Sequence, residues 1–85
     1  MAIVGDRPES GMRIVLDRVR EEPLEYAGRV QTPESDVEIV VVGDDVRGAP
    51  PELAEKVRLL VRSALRHAEA DGRPPPARIA RWRPA

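Results

Sequence analysis

The chain has 85 residues, no Cys and no Phe, and its only aromatics are Tyr26 and Trp82, so it has room for one small domain built on an aliphatic core. Disulfide staples and thiolate zinc sites are excluded. The net charge of −1 hides a sorting by position, with 13 Asp and Glu against 6 Arg over residues 1–55 (a balance of −7) and 8 Arg and Lys against Glu69 and Asp71 over residues 56–85 (+6).

Such sorting lets a cationic C-terminal third grip an acidic partner, or lets it neutralise the chain's own acidic front half. Arg outnumbers Lys 13 to 1 and stands beside nine Pro, a bacterial-like, GC-rich composition, so Arg content alone carries no nucleic-acid signal. Met1-Ala2-Ile3-Val4 runs at once into Gly5-Asp6-Arg7, and no later apolar run approaches ~18 residues. A soluble, cytoplasmic protein without membrane contact is expected.

Residues 1–11 mix Gly, Pro and charges and read as a flexible lead-in to a single domain over 12–85. Met12 to Arg20 reads as a strand from its β-branched Ile14, Val15 and Val19. The competing reading is a helix capped by Ser10, with Met12, Val15, Leu16 and Val19 on one face. Leu24 to Gln31 alternates, with Leu24, Tyr26 and Val30 to one side, and reads as a half-buried strand. Thr32 to Asp36 is a turn. Val37 to Val42 is the surest strand, apolar on both faces at its end.

Gly43 to Ala49 reads as a loop. Pro50 and Pro51 then open a helix expected from about Pro51 to Ala70, whose apolar stripe is Leu53, Val57, Leu60, Val61, Ala64, Leu65 and Ala68. Asp71-Gly72 stops it. A stiff Pro-rich connector at 73–76 leads to a basic tail, 77–85, in which Ile79 alternates with Arg78 and Ala80 as in a short edge strand.

These elements predict an α+β fold, a two-layer antiparallel sheet of three to four strands packed by one long amphipathic helix, in the order β-β-β-α-β. The order becomes α-β-β-α-β if Met12 to Arg20 is helical. One helix covers one sheet face, so Val15, Val40 and Val42 are left to a homodimer.

No catalytic, cofactor or metal residue is expected. Asp44 and Asp45 follow a strand end where carboxylates often hold Mg²⁺, but no third acid is spaced to join them, and they read as a turn. His67, the only histidine, borders the apolar stripe and reads as a half-buried structural residue. The candidate contacts with a partner or nucleic acid are Arg58, Arg62 and Arg66 on the polar helix face, Leu59 among them, and Arg78, Arg81, Trp82 and Arg83 in the tail. Glu55 and Glu69 should pair with that helix ridge. Trp82 is expected to finish the core, with base stacking as the alternative. The chain therefore reads as a small non-catalytic protein–protein interaction or regulatory module, homo-oligomeric and binding a further protein. The alternative is nucleic-acid binding through the basic helix face and tail, and a third reading is an enzyme subunit needing another chain.

Overall fold

The computed structural model describes residues 10–83, and most of the expected lead-in, residues 1–9, lies outside them. Five strands and one helix follow in the order β1 (Met12–Glu21), β2 (Leu24–Gln31), β3 (Asp36–Val42), β4 (Asp45–Arg47), α1 (Pro51–Ala70) and β5 (Arg78–Arg83). One antiparallel sheet holds them as β4-β3-β2-β1-β5, so the fold is α+β. The first four strands form a meander. The helix then carries the chain back across the sheet, and β5 closes against β1, setting Ile14 opposite Arg81 and Leu16 opposite Ile79.

Met12–Glu21 is a strand, which removes the helical alternative. The physical reason is alternation with two neighbours: Ile14 and Leu16 are buried under the helix while the residues between them face the other way, and both strand edges are paired. The sheet has one strand more than expected. Asp45–Arg47, read as loop, pairs with the end of β3 across Gly43 and Asp44. Gly43 has φ 61° and no non-Gly residue among the described ones has positive φ, the pattern of a two-residue hairpin turn with Gly first.

The core lies on one sheet face. Ile14, Leu16, Tyr26, Val30, Ile39, Val41 and Ile79 from the sheet cluster with Val57, Leu60, Val61 and Ala64 from the helix. The helix is where its stripe puts it. Pro51 sits at its start, where a missing N–H costs nothing, and the Ala54 N–H bonds the Pro50 carbonyl. At the other end Gly72 (φ 70°) donates to the Glu69 carbonyl and Arg73 to the Ala68 carbonyl, which satisfies two of the last carbonyls in a Schellman motif.

The connector is tied down rather than loose. The Arg18 guanidinium donates to the Pro75 carbonyl at 2.6 Å, and the Tyr26 hydroxyl to the Pro76 carbonyl at 2.7 Å. Burial raises the Tyr26 pKa above its ordinary value, and the Arg18 charge opposes this only in part. The neutral phenol is thus favoured in the fold, so its stabilisation is complete below the unfolded pKa and is lost as pH rises through the folded one. Stability should therefore fall above pH ~10. Tyr26→Phe should lower stability by about 1 kcal/mol, from the lost hydrogen bond, and flatten that alkaline fall. Urea melts at neutral and alkaline pH measure both.

Candidate interaction surfaces

The structure separates the cations that the sequence grouped together. Arg62 reaches Asp44 in the β3–β4 turn at 3.7 Å, so the Arg58, Arg62 and Arg66 ridge flanks the β4 side of the helix. Lys56, Leu59 and His67 flank the opposite side, against β5. Helix ridge and tail therefore sit by opposite edges of the sheet and form no joint basic patch.

Half of the C-terminal cations are spent on carboxylates. Arg58 holds Glu55 at 2.6 Å, Arg73 holds Asp71 at 2.7 Å, Arg78 holds Asp17 at 2.7 Å, and Arg62 holds Asp44. The hydrogen bond from Arg58, with the Arg58 and Arg62 charges adding to it, keeps the Glu55 carboxyl below its ordinary range. The hydrogen bond to Asp17 likewise raises the Arg78 guanidinium. All four pairs are solvent-exposed and add little to stability, but they remove charge from the surface a partner would see. Glu69 lies beside Arg62 and Arg66 on the ridge but forms no ion pair with them among the described residues, and Arg62 pairs with Asp44 from the β3–β4 turn. Lys56, Arg66, Arg81 and Arg83 have no carboxylate partner among the described residues. Three of these four lie on the β5 side.

Three expectations change. Trp82 does not complete the core: it is 55% exposed, on the sheet face away from the helix. Its position in β5 has the parity of Arg78 and Ala80, opposite to that of buried Ile79, and the tail is too short to turn it inward. His67 is exposed rather than half-buried, and it lines a cavity of about 400 Å³ with Arg73, Pro75, Ile79 and Arg81. Leu59 is 50% exposed, and instead of standing among the ridge arginines it lines a second cavity, about 430 Å³, with Met12, Ile14, Lys56 and Arg83.

The sheet face that no element among the described residues covers is the surface the sequence only partly foresaw. Cross-strand register puts Trp82, Ala80, Val15, Ala27, Val40 and Val42 on it as a diagonal stripe running from β5 to β3. Val15, Ala27, Val40 and Val42 are half-buried by the side chains around them. Those neighbours are charged and paired: Arg78 with Asp17, Arg29 with Glu38 at 3.7 Å, Arg47 with Asp45 at 2.8 Å, and Arg20 with Glu25 at 3.8 Å. Arg13 donates to Gln31, in the row that ends at Asp36. Counting Arg13, Arg20, Arg29, Arg47 and Arg78 against Asp17, Glu25, Asp36, Glu38 and Asp45, the face is neutral.

No helix among the described residues is long and apolar enough to cross a membrane, and no group of three or more His, Cys, Asp or Glu among them could hold a metal ion. No family model, curated protein or solved structure matches the chain.

Proposed function

We propose that this protein is a small non-catalytic interaction module that works as a homodimer, with the open face of the sheet as its self-association surface. The observation that carries the proposal is the diagonal apolar stripe on a face whose charges cancel. An apolar centre within a polar rim is the usual anatomy of a protein interface. Net neutrality selects the occupant, because a second copy meets no like-charge repulsion there, whereas nucleic acid or a strongly acidic protein gains nothing from it. Two-fold symmetry sets stripe on stripe and turns one surface into both halves of the contact. Five strands at about 4.8 Å and six residues at about 3.3 Å give a face on the order of 24 by 20 Å, the low end of specific interfaces. A dissociation constant on the order of micromolar is expected.

Sedimentation velocity over a concentration series at low and about 0.5 M salt tests this, with Trp82→Glu as the variant. The expected result is a salt-insensitive dimer that Trp82→Glu converts to a monomer with an unchanged circular-dichroism spectrum, because the indole packs in no core. A monomer at all concentrations, or a dimer indifferent to Trp82→Glu, rules the reading out.

One observation favours the nucleic-acid alternative: exposed Trp82 stands in sequence between Arg81 and Arg83, neither of them paired with a carboxylate among the described residues. Against it, Arg58, Arg62 and Arg78 are already neutralised, leaving few phosphate contacts. A monomer that shifts on adding mixed single-stranded RNA and DNA, at low salt only, supports that alternative.

A further inference from the structure

We propose that β5 is a docking edge for an extended acidic peptide segment of another protein, which adds to the sheet as a sixth strand. The proposal concerns a different surface from the open face and does not depend on self-association.

Among the described residues β5 pairs only with β1, so one of its edges is open. The Arg18 N–H bonds the Ala77 carbonyl, which fixes the ladder's parity: residues 77, 79, 81 and 83 turn their backbone groups to β1. The N–H and C=O groups of Arg78, Ala80 and Trp82 therefore point to the free edge. There the Ala80 carbonyl is held at 2.8 Å by the guanidinium of Arg81. An incoming backbone N–H takes over that carbonyl and releases the guanidinium for a carboxylate.

Charge decides what kind of strand fits. Arg81 and Arg83 lie on the helix side of β5, Lys56 borders the same cavity as Arg83, and none of the three has a carboxylate partner among the described residues. Residues opposite Arg81 and Arg83 would occupy non-hydrogen-bonded positions, where facing side chains come closest, so acids belong there. The alternate residues would face the open side beside Ala80 and Trp82, where apolar side chains belong. A second β5 is the poorer occupant, because antiparallel pairing of two copies centred on Arg81 or on Trp82 sets arginines against arginines. Cationic side chains also guard edges against such self-pairing, and this repulsion is selective: it disfavours a copy and admits an acidic strand.

Trp82 is the sole tryptophan, so its emission reports occupancy. The full chain is titrated with a short capped peptide alternating valine and glutamate, with the same composition in scrambled order, and with the alternating peptide N-methylated on every second residue. Binding of the alternating peptide is expected, with at least about tenfold weaker binding of the other two. Arg81→Glu with Arg83→Glu should abolish it. Ala80→Pro removes one outward N–H that the fold does not use, leaves every charge in place, and should weaken binding by a similar factor. The N-methylated peptide asks the same question of an unaltered protein. No binding of the alternating peptide, equal binding of the scrambled one, or indifference to both backbone blocks overturns strand addition. Tighter binding of an oligonucleotide than of the peptide overturns the choice of partner. Sedimentation of the Arg81→Glu, Arg83→Glu variant keeps this result separate from dimerisation, which it should leave intact because both residues lie on the helix side of β5.

Discussion

Gly28→Ala is expected to destabilise the protein by at least about 2–3 kcal/mol. A Cβ at this position would lie 1.9 Å from the Val15 carbonyl oxygen and 2.8 Å from the Leu16 Cα. Neither atom is the end of a flexible side chain that could swing away. Both belong to the backbone of β1, which is held by β2 on one side and β5 on the other. Relieving the contact means moving the central strands apart, and Ile14, Leu16 and Tyr26 lose packing with them. Gly43→Ala is the informative comparison. Its φ of 61° disfavours any side chain, but a Cβ there meets nothing within 4 Å, so its cost should stay near the ~1 kcal/mol of a left-handed residue. Urea denaturation of both variants checks the ranking. Equal losses would mean that the sheet adjusts at Gly28 without strain.

Gly28 also shows where sequence reasoning stops. Period-two alternation was enough for β2, β3 and the buried set Tyr26, Val30, Ile39 and Val41, because a strand with one wet face writes its burial into every second residue. The helix bounds were legible from Pro51 at one end and Gly72 at the other. The short β4 was not: one apolar residue, Val46, gives no alternation to read, although Gly43-Asp44 between strand-like residues is a hairpin signal. The close approach at Gly28 comes from how two backbones cross, which no local pattern records. The same holds for the candidate site. Arg58, Arg62 and Arg66 on the helix and Arg78, Arg81 and Arg83 in the tail read together as the phosphate contacts of the nucleic-acid alternative while only their spacing was known. Tertiary pairing divides them, giving Arg62 to Asp44 and Arg78 to Asp17, partners 18 and 61 positions away in the chain. The diagonal stripe on the open face had been half legible in Val15, Val40 and Val42. Ala27, Ala80 and Trp82 joined it only through register.

Ile79→Ala should destabilise the protein by about 2–5 kcal/mol, a large share of the 5–10 kcal/mol that a domain of this size commands. Ile79 is the one buried residue of β5, 1% exposed, and it lies opposite Leu16, which is fully buried. Every other β5 side chain points to solvent, so nothing else in the strand can make up the lost burial. The connector depends on the same anchor: once β5 detaches, the Tyr26 bond to Pro76 and the Asp17 pair with Arg78 lose their geometry. Both lie at the same end of the sheet, which makes the loss cooperative rather than a local fraying. Ala80→Ser, one residue along and on the exposed side, should change stability by no more than about 0.5 kcal/mol. A melting temperature lower by on the order of 10–20 °C for Ile79→Ala is the expected reading. A drop of only a few degrees would mean that β5 opens independently of the core. A docking edge has to be a fixed strand before a partner arrives, because a strand that must first be ordered gives up affinity to that ordering. The size of the Ile79 effect therefore decides whether β5 offers a ready template or a segment that folds only on binding.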